Sequence, residues 1–319
     1  MLIISAILLL ILGFLLLIKG ADLLVDGASS LAKTLNVSEI AIGLTIVAFG
    51  TSTPELIVNV FASFNGNSDI VFGNIIGSNL FNILMILGVS GIIRVLTIQN
   101  NTVWKEIPFA LIGVIILLFL QNDFFSIESK FILSRFDGII LLIFFLIFLI
   151  YVFLISKNGP ECDHPVKVFP FYKTLLLIII GFTGLILGGK LVVDNATIIA
   201  KIFLLSEKFI ALTIIAIGTS LPELATSVVA AKKGRTDIAV GNIVGSNIFN
   251  IFAILGLSAV IKPVIYNPTL NIDMYVLLFV TILLLVFMFT GKTKKIDKWE
   301  ACVFIFIYVV YSIYLAYRN

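Results

Sequence analysis

Two segments of the sequence align with each other without a gap, and this duplication limits the possible folds more than any other feature. Residues 41–88 match residues 209–256 at an offset of 168 positions, with 28 identities in 48 positions. The identities include the polar pattern Gly-Thr-Ser-x-Pro-Glu, which two merely apolar segments would not share by chance. A duplicated sequence predicts a duplicated structure, so we expect two equivalent halves.

Long apolar runs indicate that both halves lie in a membrane. Hydrophobic residues make up 60% of the 319 residues and charged residues only 12%. Soluble proteins are about 45–50% apolar and about 25% charged, and one membrane span needs roughly 20 apolar residues. Residues 1–18 lack the features of a cleaved signal peptide, so we assign them to the first span. We predict ten spans, near residues 2–32, 40–64, 70–93, 107–121, 137–156, 172–200, 209–231, 238–261, 273–290 and 299–316.

A central polar stretch divides these spans into two sets of five. We predict a first five-helix repeat at 1–156, a short cytoplasmic linker at 157–171 and a second repeat at 172–319. Because five is odd, the second repeat must cross the membrane in the opposite sense. The predicted fold is therefore an all-α integral membrane protein with ten transmembrane helices in two inverted five-helix repeats. This arrangement should bring Glu55 to face Glu223.

The distribution of basic residues predicts the orientation. The loops after spans 1, 3, 5, 7 and 9 hold 13 lysines and arginines, and the loops and ends on the opposite side hold six. Cytoplasmic loops carry the excess of basic residues, so we expect both termini to be extracytoplasmic in a multi-pass protein of the cell membrane. A net charge of +3 without a basic patch argues against a nucleic-acid partner. Cys162 and Cys302 give neither a disulfide framework nor a zinc pattern.

Proline predicts a break in the second and seventh spans. Proline has no N–H and clashes with the carbonyl four residues earlier, so Pro54 should free the carbonyl of Gly50, and Pro222 that of Gly218. Irregular backbone at membrane depth is tolerated only inside the protein or beside water. We therefore predict that helices 2 and 7 are broken at the midplane, where freed carbonyls can bind a cation.

The third and eighth spans add a polar stripe to each broken helix. Asn74, Ser78 and Asn82 recur every four residues and should share one helix face, and the second copy repeats the pattern. Together with Glu55 and Glu223, these side chains provide only oxygen ligands, which suit hard cations such as Ca2+ and Na+. Two glutamates in an apolar interior would repel each other, so a cation must balance them. The asparagines could instead only join helices through hydrogen bonds, and the glutamates could be a structural contact.

The two motifs resemble the paired alpha repeats of the cation/calcium exchanger superfamily, in particular prokaryotic-type sodium/calcium exchangers. The matching sequences are GTSTPEL with GNIIGSNLFN, and GTSLPEL with GNIVGSNIFN. The resemblance covers essentially the whole chain and implies alternating access, with spans 1 and 6 sliding across the other eight. It implies electrogenic exchange of three Na+ for one Ca2+, without a prosthetic group. The expected partners are the two ions and the lipid bilayer, and no obligatory protein partner is evident from the sequence.

The resemblance also implies a role for each motif position. Glu55 and Glu223 would bind both Ca2+ and Na+, and Thr51 and Thr219 would give backbone oxygens to Ca2+. The flanking Na+ sites would use the carbonyls of two alanines and the hydroxyls of four serines. The residues implied for these flanking sites and for the central position are Ala48, Ser52, Ser78, Ala216, Ser220 and Ser246, with Asn82 and Asn250 at the centre.

One departure from the family pattern leaves the coupling ion open. Some relatives carry an aspartate at one central position, where this chain has Asn82 and Asn250. Proton-coupled relatives carry a glutamate within the Gly-Asn motif, which this chain lacks, so Na+ is favoured over H+. A proton-coupled Ca2+ antiporter remains the alternative, followed by a cation channel. An intramembrane enzyme is disfavoured because no nucleophile or histidine set is recognisable.

Overall fold

The computed structural model describes residues 2–121, 131–156, 167–202, 216–290 and 294–318. Nearly all of these residues are helical. In chain order the elements are α1 (Leu2–Leu35), α2 (Glu39–Ile42), a π-helical turn (Gly43–Val47), α3 (Ala48–Thr51), α4 (Thr53–Asn65), α5 (Ser68–Leu80), a π-helical turn (Phe81–Ile86), α6 (Leu87–Ile93), β1 (Leu96–Thr97), a π-helical turn (Thr102–Glu106), α7 (Ile107–Gln121), β2 (Ile132–Leu133), α8 (Arg135–Ser156), α9 (Phe171–Ile202), α10 (Ala216–Thr219), α11 (Leu221–Lys232), α12 (Thr236–Ile248), a π-helical turn (Phe249–Ile254), α13 (Leu255–Ile261), β3 (Val264–Ile265), a 3-10 turn (Pro268–Leu270), α14 (Asn271–Phe287), β4 (Lys295–Ile296) and α15 (Lys298–Arg318).

Membrane-length helices occur at most of the positions predicted from the sequence. Within the described residues, eight helices are long and apolar enough to cross a membrane, and a ninth candidate is the pair Glu39–Thr51 and Thr53–Asn65, bent by 49°. These nine coincide with nine of the ten predicted spans. The remaining prediction, 209–231, falls partly on residues 209–215, which lie outside the described part of the chain. The predicted linker likewise falls mostly on residues 157–166, outside the described part.

The centre of the bundle is formed by the two helices that carry the polar stripes. In their most apolar windows, 72% of Ser68–Ile93 and 89% of Thr236–Ile261 is buried, against 22% of Ile3–Leu35 and 17% of Lys298–Arg318. Helices that are buried all round contact protein on every side, whereas the outer helices turn apolar side chains outward. Four of the predicted ligands, Ser78, Asn82, Ser246 and Asn250, therefore lie on the two most buried membrane-length helices among the described residues.

The first and sixth predicted spans pack against each other in antiparallel fashion through glycines. A Cβ atom at Gly13 would lie 2.9 Å from the carbonyl oxygen of Gly188, and one at Gly20 would lie 2.8 Å from that of Gly181. Glycine lets the two backbones approach this closely. Gly13 and Gly20 correspond to Gly181 and Gly188 at the repeat offset of 168. The contact of Gly13 with Gly188 is therefore the repeat equivalent of the contact of Gly181 with Gly20.

Four very short strands were not part of the all-α prediction. β1 pairs with β4, and β2 pairs with β3, both antiparallel. The chain leaves α6 and α13 in an extended conformation, with φ near −149° at Arg94 and Lys262. Pairing satisfies backbone groups just beyond the helix ends. Two residues are too few to produce the alternation by which a strand is recognised in a sequence.

Candidate cation site

The helices of the second and seventh spans are interrupted at the duplicated Thr-Ser-x-Pro-Glu motif. α3 ends at Thr51, and α4 begins at Thr53 after Ser52 adopts φ −82° and ψ 9°. Ser220 has almost the same conformation, φ −91° and ψ 8°, between α10 and α11. Both prolines lie in the first turn of the following helix, where a missing N–H is tolerated. The predicted breaks are thus present in the residues that the structure describes.

Glu55 and Glu223 are buried and linked to each other's motif. Glu55 is 0% exposed and Glu223 is 1% exposed. The Ser220 hydroxyl donates to Glu55 Oε1 at 2.9 Å, and the Ser52 hydroxyl donates to Glu223 Oε1 at 2.8 Å. Each carboxylate is therefore held by the serine of the opposite repeat, which brings the two glutamates to one place as the sequence predicted.

The serines of the third and eighth spans complete this hydroxyl cluster. Ser246 Oγ lies 2.9 Å from Ser52 Oγ, and Ser78 Oγ lies 3.2 Å from Ser220 Oγ. All four serines are buried, none more than 2% exposed. Hydroxyl oxygens with two lone pairs can bind a cation while their hydrogen is donated elsewhere. The structure thus places Ser52 and Ser220 against the two carboxylates, and Ser246 and Ser78 against those two serines.

Asn82 and Asn250 each donate a hydrogen bond from the side-chain NH2 group to an asparagine of the other repeat. Asn82 Nδ2 donates to Asn247 Oδ1 at 3.0 Å, and Asn250 Nδ2 donates to Asn79 Oδ1 at 3.0 Å. Both asparagines lie on π-helical turns, which are rare and frequently mark functional sites. The turn that carries Asn82 packs against α11, which carries Glu223, and the turn with Asn250 packs against α4, which carries Glu55.

Four buried oxygens in this region are not satisfied by the protein. Glu55 Oε2, Glu223 Oε2, Asn82 Oδ1 and Asn250 Oδ1 have no hydrogen-bond partner among the described residues. We refer to them as the four unpaired oxygens. An unsatisfied buried polar group costs about 1–3 kcal/mol and more when it is charged, so a cation bound by these oxygens would offset that cost. Two carboxylate and two amide oxygens form a set that a hard cation prefers.

A second layer of asparagines fixes the broken helices. The Thr51 hydroxyl donates to Asn242 Oδ1 at 2.9 Å, and Asn242 Nδ2 donates to Ser227 Oγ at 2.9 Å. The other repeat has the same arrangement, with Thr219 donating to Asn74 at 3.5 Å and Asn74 donating to Asn59 at 2.9 Å. The threonine hydroxyls thus tie each broken helix to the polar stripe. The backbone oxygens that the resemblance assigned to the threonines stay a prediction.

The alanine carbonyls remain candidates. Ala48 is 1% exposed, and its carbonyl accepts the Ser52 N–H at 3.0 Å. Ala216 begins α10 at the equivalent position. A carbonyl has two lone pairs, and the Thr51 hydroxyl donates its hydrogen to Asn242, so the Ala48 oxygen keeps a lone pair that could bind a cation. The predicted contribution of the two alanine carbonyls to the Na+ sites stays a prediction.

Four residues near the site were missed by the sequence reasoning. They are Asn59, Asn79, Ser227 and Asn247, each of which accepts a hydrogen bond from a side chain that was predicted to face the site. Asn79 and Asn247 are identical in the two copies and lie one helical turn before the central asparagines. That identity was the available signal. Asn59 and Ser227 differ between the copies, so the repeat did not mark them.

Comparison with known proteins identifies the family of this chain. The profile of a protein family described as sodium/calcium exchanger protein matches residues 5–154 and 173–317. The chain belongs to this family. The assignment made from the duplicated motifs is therefore confirmed.

Individual relatives match over nearly their full length. The putative antiporter CaxA of Alkalimonas amylolytica is 38% identical over 300 residues, covering 91% of this chain and 92% of that protein. The sodium/calcium exchanger MaX1 of Methanosarcina acetivorans is 31% identical over 329 residues, covering 90% and 92%. A solved structure of the sodium–calcium exchanger NCX_Mj, soaked with zero Na+ and Ca2+, superposes with a TM-score of 0.84 at 35% identity, covering 98% of this chain and 99% of that one.

Proposed function

We propose that this protein is a membrane antiporter that exchanges Ca2+ for Na+ by alternating access. The observation that carries the proposal is the presence of the four unpaired oxygens on Glu55, Glu223, Asn82 and Asn250. Membership of the family supports it, and so does the similarity to MaX1 and NCX_Mj, which are named as sodium/calcium exchangers.

The charge of the site favours Ca2+ as one of the ions. Two carboxylates balance one divalent cation, and no third acid joins them, since the described residues contain no group of three or more acidic, histidine or cysteine side chains suited to a metal. Ca2+ takes six to eight oxygens in a flexible arrangement. The four unpaired oxygens supply part of this shell, and the predicted Thr51 and Thr219 carbonyls would extend it.

Na+ would replace Ca2+ by using the same carboxylates with additional neutral oxygens. Ser52 and Ser220 already contact the glutamates, and their hydroxyls in turn contact those of Ser246 and Ser78. Because both ions need the same two carboxylates, their binding is competitive, which is the requirement for exchange. We propose three Na+ per Ca2+, as in the family. One net charge would then move per cycle, and each elementary charge is worth about 2.3 kcal/mol per 100 mV.

Reciprocal contacts support two inverted five-helix repeats and hence ten spans. Ser52 with Glu223 and Ser220 with Glu55 exchange partners when residue numbers are shifted by 168. Far from the site, Gln99 donates to Asp237 and Asn267 donates to Asp69, which are again equivalent pairs. A two-fold axis between the halves predicts that each contact recurs with its partners exchanged.

Alternating access would use α1 and α9 as the moving pair. Their close glycine contacts make them one tightly packed unit, and much of their surface is exposed on the outside of the bundle. We propose that this pair slides across the other eight spans. The predicted bias of basic residues would place both termini outside the cytoplasm, in the cell membrane.

Transport in liposomes tests the proposal. The full chain would be reconstituted into Na+-loaded vesicles, and uptake of radioactive Ca2+ would be followed with and without an outward Na+ gradient. We expect uptake that requires the gradient and falls by more than a hundredfold in Glu55→Gln and in Glu223→Gln. Glu106→Gln is the matched control, because Glu106 is also a buried membrane glutamate with one unpaired oxygen, but its hydrogen-bond partner is Tyr151, which is not one of the predicted ligands.

Each alternative predicts a different result in the same vesicles. Uptake driven by a pH gradient and not by Na+ would assign the protein to proton-coupled antiporters. Ca2+ flux without any counter-ion gradient would identify a channel. Unchanged uptake in both glutamate variants would show that the ion site is elsewhere.

A further inference from the structure

The orientation of an asparagine amide decides whether it can bind a cation. A side-chain amide has an acceptor oxygen on one side and an NH2 donor on the other. Only the oxygen binds a cation, while the NH2 group repels it. An aspartate does not have this restriction, because both of its oxygens are acceptors. A site with asparagine at both central positions must therefore control how each amide is turned.

The hydrogen bonds of Asn82 and Asn250 provide this control. Their NH2 groups donate to Asn247 Oδ1 and Asn79 Oδ1, each at 3.0 Å, and their oxygens belong to the four unpaired oxygens. Asn79 and Asn247 are buried, at 1% and 5% exposure, so water does not readily replace these acceptors. Fixing the NH2 group on one side leaves the oxygen directed away from its partner.

We infer that Asn79 and Asn247 are positioning residues, which turn the amides of Asn250 and Asn82 so that their oxygens face the transported cation. The inference rests on the proposed exchange function and goes one step further, since it assigns part of the Ca2+ affinity to residues that do not touch the ion. Each positioning residue acts on the asparagine of the opposite repeat, so the two halves of the site depend on each other.

Without the acceptor, the amide has a competing orientation. If Asn247 is replaced by leucine, the NH2 group of Asn82 loses its only acceptor among the described residues. In the absence of a cation, the amide can rotate so that its NH2 group points toward the carboxylate oxygens of the site. Cation binding must then reverse this rotation, which weakens the affinity. A merely structural asparagine pair would instead change the stability of the protein without a selective effect on the cation.

Crossed double variants separate the two possibilities. We expect Asn247→Leu to raise the Ca2+ concentration for half-maximal exchange about tenfold, because a buried amide donor loses its acceptor, with little change in maximal rate. In an Asn82→Asp background, orientation no longer matters, so the same replacement should change half-saturation by less than about twofold. In an Asn250→Asp background the tenfold effect should remain, because Asn250 is held by Asn79.

The mirror experiment and a conservative variant complete the test. Asn79→Leu should also raise the Ca2+ concentration for half-maximal exchange. This effect should disappear in an Asn250→Asp background and remain in an Asn82→Asp background. Asn247→Asp keeps an acceptor and should not weaken Ca2+ affinity. If the leucine variants cannot be purified, Asn247→Ala and Asn79→Ala permit the same comparison.

The inference is overturned if Asn247→Leu has the same effect on half-saturation in the wild-type, Asn82→Asp and Asn250→Asp backgrounds, or if it has no effect in the wild type. It is also overturned if Asn247→Asp weakens Ca2+ affinity as much as Asn247→Leu does. Failure of the proposed function is recognised separately, since the wild-type chain would then show no Na+-dependent Ca2+ uptake at all.

Discussion

Lys233 connects the first span to the end of the broken seventh span, and this connection gives a quantitative prediction. Its ammonium group lies 2.6 Å from Asp22 Oδ1 and 2.6 Å from Asp26 Oδ1, and it donates to the Asp22 carbonyl at 3.0 Å. Asp22 and Asp26 lie on α1, whereas Lys233 follows α11. If α1 moves relative to the rest of the bundle, these contacts must break in one of the two access states.

The free energy that these two ion pairs contribute can be estimated from the solvent exposure of their side chains. The side chain of Lys233 is 26% exposed, and those of Asp22 and Asp26 are 43% and 46% exposed, so solvent screens both pairs. Exposed ion pairs contribute about 0–1 kcal/mol each, so the two together should contribute about 1 kcal/mol. A change of this size corresponds to about a fivefold shift between the states, since 1.4 kcal/mol is about tenfold.

Hydrogen–deuterium exchange of the cation-free protein would measure this shift. Lys233→Gln should increase exchange in the second half of α1 about fivefold in low salt, and the difference should shrink at high salt, where exposed ion pairs are screened. Lys232→Gln is the matched control, because Lys232 is exposed and has no ion pair among the described residues. Equal exchange in the two variants, or a difference independent of salt, would refute the reasoning.

Two further predictions concern the site serines and the glycine interface. Ser52→Ala and Ser220→Ala should each weaken Na+ binding, because each removes a hydroxyl oxygen from a proposed Na+ site. The Na+ concentration that displaces Ca2+ in isothermal titration should rise roughly tenfold, as expected for the loss of about 1–1.5 kcal/mol. A large difference between the two variants would contradict their equivalence. Gly20→Ala should lower the thermal unfolding midpoint, because its Cβ would lie 2.8 Å from the carbonyl oxygen of Gly181 and overpacking costs about 1–3 kcal/mol. Gly73→Ala is the control and should leave the midpoint unchanged, because no atom lies within 4 Å of a Cβ at that position.

The sequence was sufficient to predict the elements that depend on composition and repetition. Apolar length located nine spans that the structure describes, and the duplicated Pro54 and Pro222 located the breaks. Glu55 and Glu223 were predicted to meet because duplicated motifs in inverted repeats must approach each other. These arguments need only chain chemistry and a count of membrane crossings.

The contacts between side chains could not be predicted in the same way. Asn79 and Asn247 lie on the same spans as the predicted ligands, but their partners belong to the other repeat, 165 or more residues away in sequence. Spacing along one helix shows which residues share a face, but it does not show which amide lies opposite. The paired strands were missed for a related reason, since each consists of two residues whose partner is distant.

The contrast between the site and its surroundings suggests where the conformational preference of this protein originates. At the centre, contacts recur in both repeats, so an ion would find the same ligands from either side of the membrane. The Lys233 ion pairs have no counterpart, because the equivalent of Lys233 is Asn65, while the equivalents of Asp22 and Asp26 are Lys190 and Asp194. Symmetric ligands cannot favour one access state over the other. On the proposed mechanism, the energetic difference between the two states must therefore come from peripheral contacts such as this one, which can change without altering the ions that the site selects.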